Sequence, residues 1–232
     1  MKRKTSGFTL IEVLAVISII GILATILTPS IGNMIDRARR ARVSNNMRQI
    51  AIAHQSYLND GRSSRNLRAA ATLAQWALLL AQATGVNNGA LYVVAEDYLV
   101  TAESRNIPKV VGRHNGDSWE PAEDFASFPL GVTVITGISP TATPSNTPLA
   151  YTRGLNPETG RWKAATGTDG GIYGEKGGLI VFLDGHVEFF ESINGDNSPF
   201  VDYQSGLPTT DIRQAVNSGA RAINWQGVVW EN

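Results

Sequence analysis

Glu12 is a lone carboxylate in Gly7-Phe8-Thr9-Leu10-Ile11-Glu12-Val13-Leu14, within a run that stays almost continuously apolar from Phe8 to Leu27. Ionisable groups in such runs are rare and face a partner, so Glu12 is a functional residue by default. A second set comprises Asp169, Asp184, Asp196 and Asp202, in Gly- and Asn-rich segments of the C-terminal third. Carboxylates in such loops suit hard oxygen ligation and make these four calcium candidates. Aspartates also form turns there without any ion. The histidines, His54, His114 and His186, have no metal-ligand spacing, and each reads as a surface or capping residue. No Ser-His-Asp order with a nucleophile elbow is present. With no cysteine, the chain has no disulfide, thiolate nucleophile or cysteine metal site. The loop from Gly167 to Gly178 holds six glycines but fits neither phosphate-binding spacing. The expectation is a non-enzyme with no cofactor, calcium being the one ion its loops could take.

The residues ahead of the apolar run sharpen the role of Glu12. Lys2, Arg3 and Lys4 form a basic head, followed by the small residues Thr5, Ser6 and Gly7. A secretory signal places its small-residue cleavage site after the apolar region, whereas here the small residue comes first. A cut after Gly7 keeps the apolar helix and frees an amine on Phe8, at the positive end of the helix dipole. Glu12, one turn along, is the natural counter-charge on the same or an adjacent helix. Charges about 4 Å apart attract far more strongly in an apolar medium than in water.

This segment resembles the class III signal of type IV pilins and type II secretion pseudopilins. The resemblance rests on the basic leader, the Gly7-Phe8 junction, the fixed offset to Glu12 and the apolar helix. It implies a leader at 1–7, cleavage between Gly7 and Phe8 by a prepilin peptidase, and N-methylation of Phe8. It further implies that Glu12 compensates the amine of a neighbouring subunit, and that Pro29 kinks or ends the apolar part of the helix. The implied partners are the peptidase, other pilin or pseudopilin subunits and inner-membrane lipid. The implied location is the bacterial inner membrane, N-terminus cytoplasmic and head extracytoplasmic, then a periplasmic or extracellular filament.

The elements that must position these residues follow from periodicity. Phe8 to Leu27 is long enough, at about 1.5 Å per residue, to cross a bilayer core of about 30 Å, which places the transmembrane part at 8–28. Ile31, Met34, Ile35, Ala38, Ala41, Met47, Ile50, Ala51 and Tyr57 continue a helical pattern, and Asn59-Asp60-Gly61 stops it. The expectation is one helix over 8–58, apolar all round in its first half and amphipathic in its second. Arg37, Arg39, Arg40 and Arg42 follow the span; anionic headgroups, acidic neighbours or plain solvation would each account for them.

The remaining residues, 59–232, are expected to form a soluble head. Leu67 to Thr84 predicts a core helix capped by Gly85. Tyr92 to Val100 and Leu130 to Thr136 predict short strands, and Ser139 to Pro148 a surface loop. Leu179 to Phe190 predicts a hairpin around Asp184-Gly185. The predicted class is α+β and pilin-like, a long helix packed on a small antiparallel-sheet head. The Phe182-Leu183-Asp184-Gly185-His186-Val187 segment, with Asn45 to Ile50 and Tyr57 to Asp60, also resembles pilin-like proteins with an H-X9-DG domain. Gly174 stands where that subgroup carries its histidine.

Composition is consistent with this reading. With 43% hydrophobic residues, 232 residues can hold a membrane helix and one head. The net charge of zero becomes about −3 without Lys2, Arg3 and Lys4, giving no case for nucleic acid as the main partner. Two functions are compatible with the sequence. One is a structural subunit, a pseudopilin or minor pilin of a type II secretion or type IV pilus-like filament. The other is a single-span, membrane-anchored extracytoplasmic binding protein or enzyme whose helix is only a tether.

Overall fold

The structure, a computed structural model, describes residues 9–62, 64–102, 105–193 and 198–232, with the backbone alone described for 26–33 and Ser64. The chain divides into two compact units, Met1–Arg42 and Val43–Asn232. Helix α1, Leu10–Asn59, is 50 residues long. It continues through Pro29, where the missing N–H costs one backbone hydrogen bond.

In the first unit the described side chains of Leu10 to Thr25 are all exposed. Of the arginines that follow, Arg39 approaches Asp36 at 3.7 Å across one helical turn. A surface pair of this kind contributes little.

In the second unit, Val43, Met47, Ile50, Ala51, His54 and Tyr57 form the buried face of α1, while Ile52 stays outside. Three- and four-residue spacing puts these side chains on one stripe. Helix α2 is Ser64–Arg68 and α3 is Leu73–Thr84. The single helix expected over Leu67 to Thr84 is therefore broken. Arg221 donates to the Arg68 and Ala70 carbonyls at 2.5 and 2.8 Å, and the Leu73 N–H donates to the Asn224 carbonyl at 2.9 Å. Tertiary hydrogen bonds thus claim backbone groups that helix propensity would have used. Thr72 restarts the helix from an extended conformation and accepts the Gln75 N–H at 3.4 Å, while the Gln75 side chain accepts the Ala71 N–H at 2.8 Å. Gly85 ends it with φ +75, as expected. Removing the cap in Thr72→Ala is expected to cost about 1 kcal/mol, read as a lower urea midpoint at unchanged slope.

His54 departs from the surface role expected of it. It is 5% exposed and stacks on Trp76, ring centroids 6.1 Å apart and 14° between planes. Burial pushes its imidazole from 6.5 down to about 4. Below pH 6.5 the unfolded chain takes up a proton that the folded chain refuses. The stability tied to this residue is therefore complete above pH 6.5 and falls until about pH 4, by ~3 kcal/mol in all. The pH dependence of the urea midpoint should flatten by that amount in His54→Phe; an unchanged profile would contradict the assignment.

The segment expected to be a strand over Tyr92 to Val100 is a 3-10 turn at Gly89–Tyr92 followed by the short helix α4, Tyr98–Thr101. Asn88 caps the first by accepting the Ala90 N–H at 3.1 Å, and Asp97 caps the second through the Leu99 N–H at 3.1 Å. Val93 and Val94 are buried, so their β-branched character serves packing and not strand pairing. A hairpin that the sequence reading did not predict follows, β1 Gly112–Asn115 and β2 Ser118–Pro121, turning at Gly116-Asp117. Helix α5 is Glu123–Ala126.

The remaining strands are β3 Val132–Thr136, β4 Pro148–Thr152, β5 Leu155–Asn156, β6 Arg161–Trp162, β7 Gly178–Phe182, β8 Val187–Phe190, β9 Phe200–Val201, β10 Pro208–Thr209, β11 Arg221–Ile223 and β12 Val228–Glu231. Six of them form an antiparallel sheet in the order β12-β11-β3-β4-β7-β8. Every residue of β3, β4 and β7 is buried, so the centre of this sheet is covered on both faces, while the edge strands β8 and β12 carry exposed residues. The expected strand near Leu130 to Thr136 and the hairpin at Asp184-Gly185 are both present.

A buried ion pair crosses the head. Arg153 donates from Nη2 to Asp97 Oδ1 at 2.8 Å and from Nε to the Gly170 carbonyl at 3.1 Å, the two side chains being 2% and 0% exposed. Its guanidinium also lies 5.8 Å from the Tyr98 ring centroid. Asp97 thus caps α4 and anchors Arg153 with the same oxygen. The glycine-rich loop is held against this pair backbone to backbone. A Cβ on Gly154, which has φ +101, would lie 2.2 Å from the Gly171 Cα. Gly170, Gly171, Gly177 and Gly178 likewise leave no room for a Cβ, whereas a Cβ on Gly167 or Gly174 would meet nothing nearer than 3.6 Å.

Candidate functional site

The Gly7-Phe8 junction lies outside the described residues, as does Asp196. What is described begins one residue later and shows how Glu12 is held. Thr9 precedes the first helical residue, Leu10, and Glu12 is the third residue of the helix. The Glu12 Oε2 accepts the Thr9 N–H at 2.8 Å and the Thr9 hydroxyl at 2.7 Å. The Glu12 N–H approaches the Thr9 Oγ1 at 3.4 Å. This is a capping box, Thr-x-x-Glu ahead of an apolar run, a pattern also legible in the sequence. One carboxylate oxygen caps the helix and the other is left outside the box.

Around Glu12 the helix surface is apolar and uncovered. Leu10, Ile11, Val13, Leu14, Val16 and Ile17 are all more than half exposed. The hydroxyls within the run bond to their own helix, Ser18 to the Leu14 carbonyl and Thr25 to the Gly21 carbonyl, each at 2.8 Å. Internal satisfaction of this kind is what an apolar surrounding demands. Among the described residues no helix is long and apolar enough to cross a membrane; the described side chains of the run stop at Thr25.

The described calcium candidates, Asp169, Asp184 and Asp202, form no metal-holding cluster among the described residues. Asp169 pairs with Lys163, whose ammonium holds its carboxyl below the usual range. Asp184 accepts the His186 N–H at 3.0 Å and faces His186 Nδ1 at 2.6 Å, inside the hairpin turn. Asp202 Oδ1 accepts the Ser205 N–H, the Ser205 hydroxyl and the Gln204 N–H at 2.6, 2.8 and 3.0 Å. These bonds, the Ser205 N–H foremost, hold its carboxyl below the usual range. Among the described residues no group of three or more His, Cys, Asp and Glu side chains is placed to hold a metal ion. The described aspartates are engaged in local turns and pairs, the competing role for such residues.

The other histidines sit on hairpins. His114 packs on Trp119 across β1 and β2 at 4.6 Å, and His186 stacks on Phe182 at 4.2 Å. The two stretches that resemble the H-X9-DG proteins meet in the structure. Arg48 donates to the Gly185 carbonyl at 3.3 Å, and Gln55 donates to the Leu183 carbonyl. The Asp-Gly turn is thereby fastened to the amphipathic half of α1. Gly174 opens a 3-10 turn, Gly174–Lys176, with φ +59.

Comparison with known proteins agrees with the geometry of the N-terminus. Residues 2–28 match the family model described as the prokaryotic N-terminal methylation motif. A type IV major fimbrial protein FimA of Dichelobacter nodosus is 41% identical over 66 residues, covering 28% of this chain and 42% of the relative. A second FimA from that organism is 42% identical over 64 residues, covering 28% and 40%. The matched region spans about two fifths of the length of these relatives. No solved structure matches the chain. The protein carries a class III prepilin-type N-terminus on an α+β, pilin-like architecture. Within that class it is similar, over the matched region, to type IV fimbrial proteins.

Proposed function

We propose that this chain is a structural filament subunit, a pseudopilin or minor pilin, cut between Gly7 and Phe8 by a prepilin peptidase and N-methylated on Phe8. Residues 8–28 then hold it in the inner membrane, head outside, until it is drawn into a type II secretion or type IV pilus-like filament. The observation that carries this reading is the helix start: a carboxylate at Glu12 on an apolar helix surface whose described side chains are exposed. Apolar side chains more than half exposed over successive turns need lipid or sister helices around them. The methylation-motif match over residues 2–28 and the fimbrial relatives support the processing step.

Assembly supplies the missing partner in this scheme. The Phe8 amine exists only after cleavage, and the Glu12 carboxylate of a neighbouring subunit neutralises it where water is scarce. Subunits out of axial register leave both charges unpaired, so pairing selects the correct stagger. Mass spectrometry of the protein from its native membrane is the direct test. The expected species begins at N-methyl-Phe8; an intact Met1 on a monomeric membrane protein would remove the basis for assembly.

A further inference from the structure

We propose that the hollow beside Tyr203 in the head is a binding site for a neutral saccharide unit. The hollow measures about 330 Å³ and is lined by Thr141, Thr143, Asn146, Asp202 and Tyr203 among others. Val201 and Ala215 contribute apolar surface. Tyr203 is among the large side chains left exposed on the head, at 38%.

The chemistry of the lining narrows the ligand by elimination. Among the described residues that line it there is no lysine or arginine, so an anion such as a phosphate has no counter-charge. Asp202 is its one carboxylate, too few for a divalent cation. Hydroxyl, amide and carboxylate groups are too dense for an apolar ligand. A single aromatic ring beside them fits a sugar, whose C–H face lies on the ring while its hydroxyls donate to carboxylate and amide oxygens.

The lining is also fixed in advance, which lowers the ordering cost of binding. Thr141 Oγ1 and the Tyr203 hydroxyl are 3.2 Å apart, and Ser139 Oγ holds Thr141 at 2.9 Å. The Tyr203 N–H donates to the Gln214 carbonyl at 2.8 Å. The three hydrogen bonds to Asp202 go to Oδ1, so Oδ2 takes no part in them. A second hollow of about 410 Å³ shares Asp202 and is lined by Gln204, Gln214 and Ser218 together with the charged Asp211, Arg213 and Glu231, so the sugar is assigned to the first hollow alone.

The test is saturation-transfer NMR on the full chain in a detergent without a sugar headgroup. Glucose, galactose, mannose and N-acetylglucosamine are added separately at millimolar concentration, where single sugar units commonly bind. Saturation is expected to reach the ring C–H protons of at least one of them. Tyr203→Ala should weaken that binding by about tenfold with an unchanged far-UV spectrum, and Tyr203→Phe, which keeps the ring, should weaken it less. Thr143→Val, which removes an exposed hydroxyl at little risk to folding, should also weaken it, whereas Val228→Ser on β12 should not. Absence of transfer to all four sugars, or equal transfer in the wild type and Tyr203→Ala, overturns the proposal.

Discussion

Replacing Asp97 by alanine is expected to destabilise the head by about 3–5 kcal/mol, the cost of leaving a buried charge without its partner. Arg153 would keep its bond to the Gly170 carbonyl but lose the carboxylate 2.8 Å away, with 2% of its side chain exposed to water. The same substitution strips α4 of its cap at Leu99. A domain of this size has about 5–15 kcal/mol of stability in total, so one substitution removes a large share. Arg153→Met should cost a comparable amount, because it strands Asp97 instead. The double variant Asp97→Ala/Arg153→Met should cost clearly less than the sum of the singles, since neither charge is then left behind. Urea denaturation of the four proteins closes the cycle. Single-variant losses below ~1 kcal/mol, or strictly additive losses, would show that the pair does not hold the head. With no cysteine available to tie distant segments, this pair links residues 56 apart in sequence by side chains alone.

How far these features could be read from the sequence follows from the range of the forces involved. The continuous pattern from Leu10 to Asn59 is local periodicity, and the helix appears over nearly the expected span. The Asp184-Gly185 hairpin and the Gly85 cap are local chemistry too, and both are present. The failures lie where distant residues decide. Arg221 and Asn224 break the helix near Ala70, and no local signal foretold that. Val93 and Val94 read as a strand because burial and strand pairing favour the same residue types. His54 shares the helix stripe with Ile50, Ala51 and Tyr57, so its burial was legible; its polar ring drew the surface reading instead. At Glu12 the sequence marks the carboxylate as unusual because it stands alone in an apolar run. The bond to Thr9 is local chemistry, a Thr-x-x-Glu pattern, and an unusual carboxylate in an apolar run points equally to a partner outside the chain.

That bond makes the sharpest prediction about the proposed assembly, because it gives Glu12 two separable duties. Glu12→Leu removes both the cap and the charge, so a loss of filaments in that variant cannot say which one mattered. Glutamine also serves at this position of a capping box, so Glu12→Gln keeps the helix start while cancelling the charge. Thr9→Ala does the converse, removing the hydroxyl bonded at 2.7 Å while leaving the carboxylate ionisable. If the carboxylate answers the amine of a neighbouring subunit, Glu12→Gln and Glu12→Leu should both lose sedimentable filaments by at least about tenfold, because a neutral amide cannot offset a charge in an apolar setting. Thr9→Ala should assemble close to normally. Mass spectrometry of each variant must show the same mature N-terminus, so that a failure to be cut is not mistaken for a failure to pair. Normal filaments from Glu12→Gln alongside defective ones from Thr9→Ala would reverse the assignment and make Glu12 a helix cap alone. Since the capping box occupies only Oε2, the free chain can hold its helix start and still present an oxygen to a partner. On this account cleavage creates the amine, the cap keeps Glu12 at a fixed height on the helix, and register follows from the distance between them.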